Sequence, residues 1–510
     1  MSSPAGPGAS GLLVAGTSSD AGKSLVVTGL CRALTRRGLV VAPYKAQNMS
    51  NNSCVCADGS EIGRAQYLQA QAAGVEPTSA MNPVLLKPGS DRRAHVVLRG
   101  RPAGTLEAGE YATGRRHLAA AAWAAFAELS AGVDLVVCEG AGSPAEINLR
   151  RGDYVNLGLA RRFGLPVTVV GDIDRGGVFA ALYGTVALLE PADRALIRSF
   201  VVNKFRGDPD VLAPGLTDLT ERTGVPFAGV LPWLDGVWLD AEDTLEVGSW
   251  RRFAGPGEGD DLRVAVVRHP RVSNVTDVEA LAAEPGVQVL VTTDPDVVAG
   301  ADLAVLPGSR ATVSDLAWLR RTGLADAVTA RARRGAPVLG LCGGYQMLAE
   351  RIEDDVESGT AARPELVEGL GLLPVAVAFA AEKTLGRPRG SWRGHPVQAY
   401  EIHHGVATLS AEPTPSPEPV ERPVEPFLDG WRRGAVWGTV WHGALENDGF
   451  RRAWLTEVAA SAGSRWRPRP DAPAFGARRE AMIDTLADAV EAHLDLDLLL
   501  AGTRVAGRAA

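Results

Sequence analysis

A cysteine beside two glycines and a histidine far along the chain are the residues best suited to covalent chemistry. Cys342 follows the apolar run Pro337–Leu341 and precedes the glycines of GLCGGYQML. A thiol on such a strand-to-helix turn is held exposed, and the N-terminus of the next helix favours its thiolate. His442, in GTVWHGALEND, is the candidate base, and the backbone of Leu306–Arg310 is a candidate oxyanion donor. The pair predicts a nucleophilic site; a buried structural thiol and a core histidine are the alternatives.

A glycine-rich loop near the start of the chain has the composition of a phosphate-binding site. The apolar strand Leu12–Ala15 leads into GTSSDAGKS, residues 16–24, and then into a helix. In this setting backbone N–H groups can surround phosphates, a lysine can reach the terminal phosphoryl oxygens and a serine can bind Mg²⁺. The predicted ATP-binding residues of the loop are Gly16, Thr17, Ala21, Gly22, Lys23 and Ser24. Five residues, rather than four, separate its glycines, which argues against a generic nucleoside triphosphatase; a turn without a ligand is the alternative.

Polar residues at the ends of three further strands are candidates for the same site. Glu139 and Asp172 each follow an apolar strand, the position at which open α/β sheets bind ligands. Because Mg²⁺ prefers oxygen ligands, Ser24, Glu139 and Asp172 are the predicted metal ligands. Asn203 ends another strand and is expected to contact the adenine of ATP. For the two acids, helix capping is the structural alternative.

Short apolar strands alternate with amphipathic segments in two blocks, which predicts two α/β domains. The strand candidates of the first block are Leu12–Ala15, Val40–Tyr44, Val133–Cys138, Pro166–Gly171, Phe200–Asn203 and Phe227–Leu231. Those of the second block are Arg263–Val267, Val287–Thr292, Leu303–Leu306 and Val338–Leu341. We therefore expect an N-terminal doubly wound parallel-sheet domain with the phosphate loop and a C-terminal α/β domain with Cys342.

The predicted domain boundaries follow breaks in this alternation. Residues 1–251 form the predicted ATP-dependent domain, 252–262 a linker rich in glycine and acid, 263–476 the second domain and 477–510 a C-terminal helical tail. The Pro- and Glu-rich stretch Ala411–Pro426 is expected to be an exposed loop.

The overall composition limits the classes of function. The chain has 510 residues, 46% hydrophobic and 22% charged, which suits two or three globular domains rather than disorder. A formal net charge of -8 argues against broad binding of nucleic acid or acidic membranes. No apolar run approaches the roughly 18 residues that span a bilayer, and the start lacks the features of a signal peptide. Five cysteines, an odd number, suggest reduced thiols. We expect a cytoplasmic protein that acts on small molecules.

Six stretches of the first block resemble the cobyric acid synthase family. They are GTSSDAGKS, YKAQNMSNNS (44–53), EIGRAQYLQAQAAG (61–74), NPVLLKP (82–88), CEGAGSPAEINL and GDIDRGG. The loop spacing resembles the dethiobiotin-synthetase-like branch of ATP-binding domains. The second block resembles the class I glutamine amidotransferase domain of the same family, with Cys342 and His442 in the nucleophile and base positions. The resemblance covers most of the chain.

This resemblance implies a reaction and its substrates. The family amidates the b, d, e and g carboxylates of adenosylcobyrinic acid a,c-diamide in cobalamin biosynthesis, with ATP, Mg²⁺ and glutamine. Phosphoryl transfer would turn each carboxylate into an acyl phosphate, while Cys342 would release ammonia from glutamine through a thioester. The implied partners are the corrinoid carboxylate, glutamine and ATP, with no nucleic acid and no membrane.

One position departs from the pattern of class I amidotransferases. Typical members carry Glu two residues after the catalytic histidine, where this chain has Ala444. The third member of the triad is therefore absent or supplied elsewhere, and Glu446 is not assigned. Without it, glutamine hydrolysis should be slow until the other substrates bind. In YEIHHG, residues 400–405, His403 is expected to line the glutamine site or to be structural.

Two alternative functions remain open at this stage. The sister family, cobyrinic acid a,c-diamide synthase, would lead one to expect a GPDY-type segment in place of KAQNMSNNS. A ParA-like ATP-dependent scaffold with an inactive amidotransferase domain is the second alternative. Intact Cys342 and His442 argue against the scaffold.

Overall fold

A computed structural model describes residues 9–89, 93–107, 116–237, 261–356, 365–410 and 423–507. Each half of the described chain is built around one main sheet, and the strands of both sheets are mainly parallel. None of the helices in these ranges is long and apolar enough to cross a lipid bilayer.

The first domain contains twelve strands and seven α-helices among its described residues. The strands are β1 (Gly11–Gly16), β2 (Val41–Tyr44), β3 (Gln47–Met49), β4 (Ser53–Val55), β5 (Glu61–Gly63), β6 (Val84–Pro88), β7 (Arg93–Leu98), β8 (Arg101–Glu107), β9 (Leu135–Glu139), β10 (Val167–Asp172), β11 (Ile197–Phe205) and β12 (Phe227–Pro232). The helices are α1 (Lys23–Arg36), α2 (Arg64–Ala72), α3 (Arg116–Gly132), α4 (Leu157–Phe163), α5 (Val178–Leu188), α6 (Pro191–Arg194) and α7 (Pro209–Thr223).

The main sheet of this domain is parallel and has the order β12-β11-β10-β1-β9-β2. Every residue of the central strand β1 is buried, because helices cover both faces of the sheet, and its sequence GLLVAG is accordingly apolar throughout. The ends of β9 and β10 flank the end of β1. Glu139 and Asp172 therefore lie on opposite sides of the phosphate loop, residues 16–24.

The second domain has fifteen strands and six α-helices among its described residues. The strands are β13 (Leu262–Val267), β14 (Val272–Ser273), β15 (Val287–Thr292), β16 (Leu303–Leu306), β17 (Gly308–Ser309), β18 (Val338–Leu341), β19 (Arg351–Asp354), β20 (Glu365–Glu368), β21 (Val375–Gly386), β22 (Arg389–Trp392), β23 (His395–Gln398), β24 (Glu401–Leu409), β25 (Val424–Phe427), β26 (Gly430–Arg433) and β27 (Val436–Thr439). The helices are α8 (Glu279–Ala282), α9 (Pro295–Gly300), α10 (Thr312–Arg321), α11 (Leu324–Arg333), α12 (Gly343–Met347) and α13 (Asp448–Ala462).

The main sheet of the second domain has the order β15-β13-β16-β18-β27-β26-β25. Its first five strands are parallel, and the hairpin β25–β26 continues it antiparallel. The carboxyl ends of β13, β16, β18 and β27 share one edge, so the loops that follow these strands meet there. This edge carries the catalytic candidates.

Two helices near the C-terminus, α14 (Phe475–His493) and α15 (Leu496–Leu500), pack on the first domain. Gly29 of α1 allows the contact: a Cβ there would lie 2.7 Å from Cγ2 of Val490 and 2.8 Å from the carbonyl oxygen of Leu486. Arg32 and Arg36 of α1 pair with Glu480 and Asp484 of α14, at 2.5 and 2.9 Å. The chain therefore returns from the second domain to complete the core of the first.

The predicted fold class, two α/β domains with parallel sheets, is confirmed, and all ten predicted strands are present. The expectation that Ala411–Pro426 is only a loop was wrong at its end. Val424–Phe427 forms the edge strand β25, while residues 411–422 lie outside the described ranges. The proposed boundary at 251 and most of the predicted linker, residues 252–260, also lie outside them. Leu262 belongs to β13 rather than to the linker.

Candidate active site

The turn between β18 and α12 holds Cys342 in a strained backbone conformation. Its φ of 48° and ψ of -110° lie in a region that non-glycine residues rarely adopt. The Cys342 N–H donates to the carbonyl of Thr439 at 2.8 Å. A Cβ on Gly343 would lie 2.6 Å from the backbone N of Ser309, and one on Gly344 would overlap the backbone at Leu306. The two glycines therefore let the cysteine turn pack against the end of β16, as an oxyanion site requires.

His442 reaches the cysteine because their strands are parallel neighbours. Thr439 of β27 lies opposite Leu341 of β18, so the residues that follow the two strands emerge together. The backbones of His442 and Tyr400 exchange hydrogen bonds of 2.8 and 3.0 Å, and their rings stack with centroids 5.3 Å apart. The Cys342 thiol donates to the carbonyl of Ile402 at 3.9 Å, and it lies close enough to the His442 imidazole to raise the pKa of that ring. Both side chains are buried, which shields their proton transfer from water.

Asp277, which the sequence analysis missed, occupies the position of a triad acid beside His442. Its Oδ2 lies 2.7 Å from Nδ1 of His442, and its Oδ1 accepts the Gly443 N–H at 2.8 Å. Burial by itself lowers the pKa of His442, but the Asp277 carboxylate and the Cys342 side chain raise it to about 10. With Asp277 in place, Ala444 is no reason to expect slow glutamine hydrolysis. Asp277 is the candidate for a third member supplied from elsewhere in the chain.

A signal for Asp277 was present in the sequence. It stands in SNVTDVEAL, on the one-turn 3-10 helix Val275–Val278, and follows the first strand of the second domain. Val275 and Val278 are buried, so a carboxylate between them needs a specific partner. The rule that singled out Glu139, an acid directly at the end of an apolar strand, does not reach Asp277, which lies ten residues after the end of β13, so the signal marks a candidate acid but not its partner.

Asp277→Asn is expected to lower the kcat for glutamine hydrolysis about 10²- to 10³-fold, because a neutral amide no longer stabilises the imidazolium. The Asp277 charge raises the pKa of His442, so its loss should move the alkaline limb of the kcat/KM profile to lower pH. Glutamate release measured across pH tests this. Glu446→Gln is the matched control: that carboxylate follows His442 by four residues but binds Arg64 and Arg479, at 2.6 and 2.9 Å. An unmoved limb in Asp277→Asn would contradict the triad assignment.

Cys342 and His442 open into a pocket that both domains line. The second domain contributes Arg310, Lys383 and His403, and the first contributes Asn51 and Lys87. Several cationic side chains around a buried nucleophile suit a substrate with a carboxylate, such as an amino acid. His403 lies in the pocket wall, and its predicted role at a glutamine site stays a prediction.

Buried charges join the two domains beside this pocket. Glu61 of β5 is fully buried between Lys87 of β6 and Lys383 of β21, at 2.5 and 2.6 Å. Burial lowers the pKa of Lys87 to about 8, against the opposing effect of Glu61. The two lysines outweigh burial and hold the pKa of Glu61 well below its usual range. Breaking such a buried network by removing one partner is costly, so it fixes how the domains meet.

The turn that follows β16 is also fixed by a buried acid. Asp315 of α10 accepts a hydrogen bond from the Ser309 hydroxyl at 2.7 Å and lies 3.0 Å from Nδ1 of His269. The backbone of Ser309 packs against Gly343, as described above. This arrangement places the predicted oxyanion segment, Leu306–Arg310, directly beside the cysteine turn.

The phosphate loop brings Lys23, Ser24 and Glu139 together at the edge of the first sheet. Lys23 is buried and its ammonium donates to the carbonyls of Ser18 and Ser19, at 2.8 and 2.9 Å. The Ser24 hydroxyl donates to Oε1 of Glu139 at 2.9 Å. One hydroxyl and one carboxylate, close together beside a phosphate loop, fit Mg²⁺, which binds few protein oxygens and takes the rest from phosphates and water.

Glu139 has further partners that the sequence analysis did not foresee. Lys45 lies 2.8 Å from Oε1, and Gln69 donates to Oε2 at 2.5 Å. Burial opposes ionisation, but Lys45 and these hydrogen bonds outweigh it and lower the pKa of Glu139. Both partners belong to the stretches that resemble the cobyric acid synthase family, so these stretches support the nucleotide site.

Asp172 and Asn203 have contacts that differ from those of Glu139. Asp172 lies 2.8 Å from the ammonium of Lys204, on the opposite side of the phosphate loop from Glu139. Asn203 is buried and donates to the carbonyl of Ala21 at 3.0 Å. A Cβ on Gly22, at φ 94°, would overlap the Asn203 amide, so Asn203 fixes the loop. No group of three or more His, Cys, Asp or Glu residues that could hold a metal occurs in the described ranges.

Two family models match the chain, each over one domain. Residues 12–247 match the CobQ/CobB/MinD/ParA nucleotide binding domain, and residues 263–450 match the CobB/CobQ-like glutamine amidotransferase domain. The protein is therefore a glutamine amidotransferase-type ligase with a nucleotide-binding domain.

Similar proteins define the family within this class. The cobyric acid synthase of Cutibacterium acnes is 64% identical over 491 residues, which cover 96% of this chain and 99% of that protein. Those of Streptomyces coelicolor and Mycobacterium sp. (strain KMS) are 57% and 56% identical, each over 96% of this chain and 95% of the relative. The chain belongs to the cobyric acid synthase family. Neither the a,c-diamide synthase nor the inactive scaffold is favoured.

Proposed function

We propose that the protein amidates the b, d, e and g carboxylates of adenosylcobyrinic acid a,c-diamide, using glutamine and ATP with Mg²⁺. One observation carries the proposal: Cys342, His442 and Asp277 form a triad that opens into a pocket shared with the nucleotide-binding domain. The corrinoid substrate follows from membership of the cobyric acid synthase family.

In the amidotransferase domain, Cys342 acts on the side-chain amide of glutamine. His442, whose pKa lies well above neutrality, holds the thiol proton as an imidazolium while the Cys342 sulfur forms a bond to the amide carbon, and backbone N–H groups near Ser309 stabilise the oxyanion. The imidazolium, stabilised by Asp277, then donates its proton to the departing nitrogen, so ammonia leaves as the C–N bond breaks. Water hydrolyses the remaining thioester to glutamate and restores the thiol.

In the nucleotide-binding domain, the proposed ligands of ATP are the loop residues with Lys23, and those of Mg²⁺ are Ser24 and Glu139. When bound, ATP would supply the phosphoryl group that activates a carboxylate, and Mg²⁺ would neutralise charge on the phosphates. Lys23 stabilises negative charge on the phosphates. Asn203 keeps the loop in shape through Ala21. An adenine contact by Asn203 and a metal contact by Asp172 remain proposals.

The pocket that both domains line suits a reaction in which one domain releases ammonia and the other activates the carboxylate. A carboxylate does not react with ammonia at neutral pH until it is activated, because its negative charge deactivates the carbonyl. Ammonia that reached bulk water would be protonated and lose its nucleophilicity. The site that activates the carboxylate and the site that releases ammonia must therefore be close in space. Asn51 and Lys87 of the nucleotide-binding domain line the pocket of Cys342, so ammonia is released against that domain.

Incubation of the purified protein with the corrinoid a,c-diamide, ATP, Mg²⁺ and amide-¹⁵N-glutamine tests the proposal. Product masses should show four successive amidations, each carrying ¹⁵N, and none without ATP. A parallel reaction offers cobyrinic acid. Amidation confined to its a and c carboxylates would contradict the proposal in favour of the sister activity.

A further inference from the structure

The segment that most sharply marks the family, Lys45–Ser53, extends from the nucleotide site to the glutaminase site. At its start, Lys45 lies 2.8 Å from Glu139. At its end, it contacts the turn that carries the triad acid Asp277 in the other domain. The proposed chemistry gives the contact at this second end no role.

The contact with the turn consists of two reciprocal hydrogen bonds between side chain and backbone. The Ser53 N–H donates to Oδ1 of Asn274 at 2.9 Å, and the Val275 N–H donates to Oδ1 of Asn52 at 3.3 Å. Asn52 and Asn274 are both buried, 4% and 3% exposed. Because each asparagine binds the backbone of the other domain, the pair fixes main chain against main chain.

Asn274 and Val275 begin the short helical turn on which Asp277 stands. Asn274 adopts a left-handed φ of 48°, which asparagine tolerates better than most residues. Its carbonyl accepts the Asp277 N–H at 3.1 Å. A displacement of Asn274 would therefore displace Asp277 as well. It would disturb the two hydrogen bonds of the Asp277 carboxylate, with the His442 side chain and with the Gly443 N–H.

We infer that Asn52 and Asn274 are positioning residues for the glutaminase, acting through Asp277. The nucleotide-binding domain is then part of the glutamine-hydrolysing site and not only the user of its ammonia. The inference rests on the proposed roles of Cys342, His442 and Asp277. Asn52 does not line the pocket. A substitution of Asn52 should nevertheless change the rate of a reaction in the other domain.

The test compares Asn52→Ala with Asn52→Asp, which keeps an oxygen acceptor at the same position. Asn52→Ala leaves the buried Val275 N–H without that acceptor. It should lower the kcat for glutamate release about 10- to 100-fold, the scale of a small misplacement of a catalytic group, with KM for glutamine within about twofold of wild type. Asn52→Asp should recover most of the rate. Met49→Ala, an exposed position in β3 of the same segment, is the control and should behave as wild type.

A second assay, amide synthesis from ammonium salt at raised pH, separates positioning from general damage. It should be unchanged in Asn52→Ala. Loss of both activities together, an unchanged kcat in Asn52→Ala, or no recovery in Asn52→Asp would each overturn the inference. A wild-type protein that releases no glutamate would contradict the proposed function itself, whereas normal wild-type release with an unaffected Asn52→Ala would contradict only the positioning role.

Discussion

Cys342→Ala is expected to abolish amide synthesis from glutamine and to leave synthesis from ammonium salt intact at raised pH. Removal of the sulfur removes the covalent step, and the expected loss of glutamate release is about 10⁴-fold or more, as for other covalent nucleophiles. The nucleotide site lies in the other domain, so carboxylate activation does not depend on the thiol. Both activities are measured on the same preparation, as glutamate release and as amide formed.

The matched control is Cys31→Ala. Cys31 is a buried thiol of α1 whose pKa is raised by its burial and by Glu139, which suits a structural role. Its loss is expected to lower stability and to leave glutamine-dependent synthesis in place. Normal glutamine turnover by Cys342→Ala, or equal losses with both nitrogen sources, would contradict the assignment of the nucleophile.

The elements that position the site could be predicted because their signals are local. Cys342 follows a short apolar strand and precedes a helix, Lys23 begins the helix that follows another such strand, and glycines mark both turns. Parallel sheets then bring such turns to one edge without any need to know the strand order. This is why the bounds of the ten predicted strands agree with the structure to within three residues.

Asp277 and the domain interface could not be placed by such local reasoning. Asp277 precedes His442 by 165 residues, and their contact depends on where β13 and β27 lie in the sheet. At the spacing typical of the class, two residues after the histidine, the chain has Ala444 and no acid. Similarly, the Lys45–Glu139 pair and the packing of α14 on α1 join segments far apart in sequence. Only the three-dimensional pairing shows them.

The glutaminase domain therefore depends on residues of its neighbour at several positions. Glu446 is held by Arg64 of α2, and burial, which would raise its pKa, is outweighed by Arg64 and Arg479, so that its pKa falls to about 2. Arg64 also donates its backbone N–H to the carbonyl of Asn52 at 3.1 Å. Through these contacts the buried charge of Arg64, a residue of the nucleotide-binding domain, lies against the segment that follows His442 in the second domain.

Lys23→Gln is expected to remove amide synthesis from both nitrogen sources, by about 10³-fold, while glutamate release without ATP persists. The substitution keeps most of the side-chain length and removes the charge that stabilises the transferring phosphoryl group. Ammonia added from outside cannot replace this step, because the carboxylate remains unactivated. The pattern is thus the reverse of that expected for Cys342→Ala, and the two variants together separate the two reactions.

The control for Lys23→Gln removes a positive charge from the other end of the same helix. Arg36 ends α1, where it pairs with Asp484 and Asp488 at 2.9 and 2.6 Å, and Arg36→Gln should retain both syntheses. Binding of a fluorescent ATP analogue, measured with Mg²⁺ present, distinguishes loss of affinity from loss of phosphoryl transfer. Ammonium-dependent synthesis by Lys23→Gln at the wild-type rate would show that the phosphate loop does not activate the carboxylate. Loss of glutamate release in the same variant, measured without ATP, would instead show that the charge of Lys23 is needed to hold the two domains in their active arrangement.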